Sequence, residues 1–179
     1  MAEAVKQFFV GFIHPRTWLA VIIALVVAAV VGLAISGTLI DTLTGLSLSP
    51  AIIDQLKAIA AGLFFILIFP VSLLEAGTAI PLVLVVVTGL IAGLIFGLLS
   101  KKERVGSKSI IGGLNMALIY MLLVVVVLVI WIVGISSGVV WATVIGLLQS
   151  APIDILVTFL VVWWVSAIVS MLVLSVKHD

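Results

Sequence analysis

Four polar residues, Asp54, Glu75, Asn115 and Asp154, stand inside or at the edges of long apolar runs. Carboxylates and carboxamides in such positions are the groups that line ion, proton or solute paths through a bilayer. Each also has a structural role to weigh against that one. Asp154 comes just after Pro152 at the start of an apolar run, where a carboxylate favours a helix N-terminus, and helix-end stabilisation is the simpler role for Asp54 as well. Glu75 falls at the tip of a predicted tight hairpin, where water or headgroups account for it. Asn115 in a span is expected to hydrogen-bond a neighbouring helix. Tyr120, five positions further on, does not share its face closely, and Gln149 lies in a connector.

Catalytic patterns are missing from the sequence. There is no Ser/His/Asp constellation, H-E-x-x-H, P-loop or dinucleotide fingerprint. With no cysteine, thiolate chemistry, disulfides and Cys-based metal sites fall away. The two histidines, His14 and His178, stand at opposite ends of the chain and make no metal or haem site by themselves. The expectation is a chain that is not an enzyme and binds no metal or cofactor. A net charge of +1 without a basic face sets nucleic acid aside.

Of the 179 residues, 65% are hydrophobic and 8% charged, with a mean hydropathy of +1.59. Fifteen charges cannot coat a water-soluble domain of this size, so the exterior must face lipid. Only helices or a closed barrel satisfy the backbone there, and the apolar runs are continuous rather than alternating. The fold class is therefore all-α, a polytopic transmembrane bundle forming one domain over 1–179.

Runs long enough to cross a hydrocarbon core of about 30 Å occur at about Thr17 to Ile40, Ala58 to Leu74, Ala79 to Leu99, Ile110 to Ser136 and Pro152 to Val176. The sequence thus predicts five spans, the second kinked at Pro70. Ahead of them, Phe8, Phe9, Phe12 and Ile13 are spaced for a short helix in the membrane interface, followed by Pro15, Arg16 and an interfacial Trp18. The first long run lacks a signal-peptide cleavage pattern and is expected to stay in the mature protein. With five spans, Lys6 and Arg16 fall on one side and the other six Lys/Arg on the opposite side. Loop 100–108 and the C-terminus are then cytoplasmic, in a cell membrane. If the second run does not fully span, both termini lie in the cytoplasm.

The chain also resembles itself. Ser36-Gly37, Thr42, Gly45-Leu46 and Ser49 recur at an offset of 101 as Ser137-Gly138, Thr143, Gly146-Leu147 and Ser150. After a one-residue slip, Ile53-Asp54 pairs with Ile153-Asp154. Units 8–75 and 109–176 joined by a central helix over 79–99 would form an inverted-topology repeat of the kind that builds transport sites, with Asp54 and Asp154 equivalent.

Small residues mark contacts. Gly89, Gly93 and Gly97 form two overlapping G-x-x-x-G units on one helical face, and Gly112 and Gly113 open the next run. Such faces let backbones approach, either within the chain's own bundle or against another subunit. Trp163 and Trp164 stand mid-run, for packing within the bundle or against a partner protein, lipid or ring. No stretch carries a diagnostic family motif. The sequence leads to the expectation of a non-catalytic structural or accessory subunit whose partners are membrane lipids and other integral membrane subunits or copies of itself. A small transporter or channel for an ion, solute or lipid, lined by Asp54, Asp154, Asn115 and Glu75, is the alternative.

Overall fold

The computed structural model describes residues 2–44, 79–101, 105–135 and 152–177, together with Pro70, Gly77 and Gln149. Among the described residues every regular element is an α-helix. The helices are α1 (Ala2–Ile13), α2 (Pro15–Thr44), α3 (Ile80–Leu99), α4 (Val105–Ile135) and α5 (Pro152–Val176). Three of them are long and apolar enough to cross a membrane, within Ile80–Leu99, Val105–Val126 and Pro152–Val176. A fourth crossing is available if Val5–Ile13 and Pro15–Val31, bent by 58°, act as one broken span. Of the second of the five runs read from the sequence, 58–74, Pro70 alone is among the described residues, and Asp54 and Glu75 lie outside them. Gly77 has a φ of 93°, a left-handed backbone that glycine adopts without a Cβ penalty.

The break between α1 and α2 is caused by Pro15. A residue before proline is pushed away from helical geometry, and proline itself fits the first position of a new helix. His14 is the residue left between the helices, and its Nδ1 accepts from the Arg16 backbone N–H at 3.3 Å. The last carbonyls of α1, which have no partner within their own helix, are taken up from across the break. Thr17 donates its hydroxyl to the Gly11 carbonyl at 2.7 Å, and the Trp18 indole N–H donates to the Phe12 carbonyl at 2.8 Å.

The chain divides into two compact units. One comprises Met1–Ala28, Val85–Met121 and Phe159–Asp179; the other comprises Ala29–Leu84 and Leu122–Thr158. In the first, α3 and α5 run in the same direction: Gly89 lies against Val165, Gly93 against Ser166 and Val169, and Gly97 against Val173. Helix α4 runs opposite to α3, its Gly112 meeting Phe96 and its Gly113 meeting Trp163 and Ala167. Helix α2 contributes a buried stripe of Thr17, Ala20, Val21, Ala24 and Ala28, while Leu19, Ile22, Ile23, Val26 and Val30 are exposed. An apolar outer face of this kind suits lipid. In the second unit, Asp154 and Thr158 are buried near the start of α5.

Candidate functional site

At Gly93 and Gly113 of the first unit the close approach is between backbones. A Cβ on Gly93 would stand 2.6 Å from the Ser166 carbonyl oxygen and 2.9 Å from the Ser166 Cα. On Gly113 it would stand 2.7 Å from the Trp163 carbonyl oxygen. Only glycine permits these separations, and dispersion between the backbones is the return. The five glycines singled out in the sequence thus all meet residues of the same chain. Trp163 donates its indole N–H to the Ile110 carbonyl at 3.1 Å, beside the Gly112-Gly113 start of the apolar part of α4. Its ring is stacked on Trp164 with centroids 5.4 Å apart. Trp164 is half exposed, which leaves its ring available to a neighbour outside the bundle.

The serine hydroxyls of α5 turn back on their own helix. Ser166 donates to Val162 O at 2.6 Å, Ser170 to Ala167 O at 3.0 Å and Ser175 to Leu172 O at 2.7 Å. A hydroxyl bonded in this way is satisfied without a second helix or a water file.

Asn115 is fully buried and donates through Nδ2 to the Phe8 carbonyl at 3.1 Å. Room for this amide comes from Gly11, where a Cβ would be 2.5 Å from Nδ2. Oδ1 has no partner among the described residues. Further out, the Ser107 hydroxyl lies 3.4 Å from Gln7 Oε1. Asn115 is eight residues beyond Ser107 on α4, about 12 Å of helix rise. The two contacts therefore order α1 and α4 in the same sense, both entering the bundle from the end that carries loop 100–108. Phe8 stacks on Phe12, and Phe12 meets Trp18 edge-on, closing the inner side of α1. Val5, Phe9, Val10 and Ile13 remain exposed.

The same end holds the C-termini of α3 and α5. Lys177 Nζ donates to Leu98 O at 2.8 Å and Ser100 O at 2.9 Å, and Lys108 Nζ donates to Lys101 O at 2.8 Å. Cations here cover the unpaired carbonyls at the negative end of α3. Lys6, which a five-span count places across the membrane from this loop, lies on α1, the helix tied to α4 through the Gln7–Ser107 and Phe8–Asn115 contacts.

Among the candidate path residues, Asn115 is engaged by α1, and Asp154 is buried in the first turn of α5 within the second unit. No group of three or more His, Cys, Asp or Glu side chains that could hold a metal ion occurs among the described residues. Gly11 and Lys177 escape a reading of the sequence alone. A glycine on the inner side of a short aromatic-rich helix was the available signal for the first, and a lysine directly after a span for the second. No protein-family model, curated protein or solved structure matches the chain.

Proposed function

We propose that this chain is a non-catalytic integral membrane protein, a structural or accessory subunit of a membrane complex. The observation that carries this reading is where the polar groups inside the first unit are spent. Ser166, Ser170 and Ser175 bond their own helix, Trp163 and Asn115 bond neighbouring backbones, and the glycine face is closed against α5. A water-filled or ion-conducting route needs polar groups turned toward it; the bonded groups named here are turned elsewhere, while Asn115 Oδ1 and the Ser100 and Ser109 hydroxyls are buried without a hydrogen-bond partner among the described residues. The surface left outward is apolar with Trp164 upon it, suited to lipid and to other membrane helices.

The contacts of α1 with α4 favour an even number of crossings, four from the bent pair, α3, α4 and α5, over the five of the sequence reading. Both termini and loop 100–108 then face the cytoplasm by the excess of Lys and Arg at that end. In that topology the spans preceding the two copies of the Ser-Gly…Asp pattern leave the same end. A genuine repeat would then be parallel, which removes the inverted arrangement on which the transporter alternative depended.

The test is gentle extraction of the native protein with its lipids, followed by mass spectrometry of whatever co-purifies. Stoichiometric recovery with another membrane protein is the expected result. Recovery alone, together with solute flux in liposomes that is lost in Asp54→Asn and Asp154→Asn variants, would overturn the subunit reading in favour of transport.

A further inference from the structure

We propose that Ser100 and Ser109 hold a buried water molecule between α3 and α4, and that this water fixes the α3–α4 hairpin at the end carrying loop 100–108. The site goes beyond the subunit reading and does not depend on it.

Two contacts set the level of the two helices. A Cβ on Gly112 would stand 2.5 Å from the Phe96 ring, and Lys108 Nζ donates to Lys101 O at 2.8 Å. Ser100 and Ser109 fall between these contacts. Ser100 is four residues after Phe96 and Ser109 is three before Gly112, spacings that return to the same side of a helical turn. The two serines therefore stand at one level, on the sides by which α3 and α4 face each other. Both are buried, at 1% and 0% exposure, and neither Oγ has a hydrogen-bond partner among the described residues.

The serines of α5 provide the contrast. Ser166, Ser170 and Ser175 each donate to a carbonyl of their own helix, so a bond to the preceding turn is open to serine in this bundle. Ser100 and Ser109 take neither that outlet nor each other. An unbonded buried hydroxyl is costly, and two at one level are satisfied together by a single group that both donates and accepts. Water is such a group, and a buried water makes about two to four hydrogen bonds. A metal cation is disfavoured, because the adjoining carbonyls are already engaged, Ser100 O by Lys177 Nζ and Lys101 O by Lys108 Nζ. A larger ligand is opposed by the burial of both serines and by the Phe96 ring closed on Gly112.

The experiment is nuclear magnetic resonance of the full chain in deuterated detergent, reading cross-relaxation between water and the Cβ protons of the two serines. Both should show the signature of a long-resident water. Ser109→Ala should abolish the signal at Ser100, and Ser100→Ala the signal at Ser109, because a bridging water loses one of its two supports. Persistence at the remaining serine would overturn the proposal, since a hydroxyl exchanging its own proton with solvent gives that result. A signal that follows the sodium or chloride concentration would overturn it in favour of an ion. In thermal unfolding, each single variant should lower the folding equilibrium constant about fivefold, and the double variant by about the same factor. A loss of about twenty-five-fold in the double variant would show two independent hydroxyls and no shared water.

Discussion

The contact between α3 and α5 and the contact between α1 and α4 both depend on glycine, but for opposite reasons. At Gly93 the missing side chain admits another backbone, and the helices are held by many weak dispersion contacts along parallel axes. At Gly11 it admits a single carboxamide, and α1 is tied to α4 by the Asn115–Phe8 hydrogen bond and the Ser107–Gln7 contact. Along Gly89–Gly97 the first contact is between backbones and apolar side chains, its polar tie, Lys177 on Leu98 O and Ser100 O, lying beyond the glycines, so this stretch is broken by forcing the helices apart. The second can be broken one atom at a time. Within one compact unit, the chain thus combines a seam that is structurally fixed with an attached helix whose hold is modest.

The comparison is broken outright if α1 does not lie where its contacts place it. The chain has no cysteine, so single cysteines at Ala2, Ser107 and His178 can be labelled with a membrane-impermeant reagent in sealed vesicles. All three should label from the same side. Labelling of Ala2 from the side opposite to Ser107 would restore an odd number of spans.

The next effect is on the fixed seam. Gly93→Ala should destabilise the protein by about 3 kcal/mol, because the obstructing atoms are backbone and only movement of a whole helix relieves them. The same change at Gly106, where a Cβ meets nothing within 4 Å, should be neutral or stabilising by up to about 1 kcal/mol. Thermal unfolding in a mild detergent compares the two. Equal effects would mean that the seam is looser than its geometry.

A smaller effect is expected at the attached helix. Asn115→Leu removes the bond to Phe8 O, worth about 1 kcal/mol in a membrane interior. Global unfolding should change little, while hydrogen exchange of the Val5–Ile13 amides accelerates by about fivefold. If exchange and global stability fall together, α1 is part of the fixed core. The smallest effect is at Ser166→Ala, within about 0.5 kcal/mol of the parent in the same unfolding measurement, because the hydroxyl serves only its own helix.

Much of the helical plan was legible because lipid imposes a length. Continuous apolar residues must persist for about 20 positions to cross, and the apolar run from Pro152 to Val176 has the same bounds as the helix in the structure. Helix α4 begins at Val105 rather than Ile110, since its first turn is polar and an apolar count passes over helical residues outside the hydrocarbon. The site was less legible. That Asn115 would meet a neighbouring helix is dictated by the cost of an unbonded amide in lipid, but which helix is not, because periodicity says nothing about partners more than 100 residues away. The hydroxyls of α5 likewise have two outlets, a neighbouring helix or their own preceding turn, and only coordinates decide between them.

The bond between Phe8 and Asn115 joins residues 107 positions apart, and a ribosome delivers them in a fixed order. At about 5–20 residues per second, α1 is made several seconds before the α4 amide that receives it exists. Throughout that interval Phe8 and Phe12 have each other and Trp18 to lean on, but the Gly11 notch has no amide to fill it. Docking of α1 is therefore a late event in the life of the nascent chain, and its completion marks the arrival of α4 in the membrane.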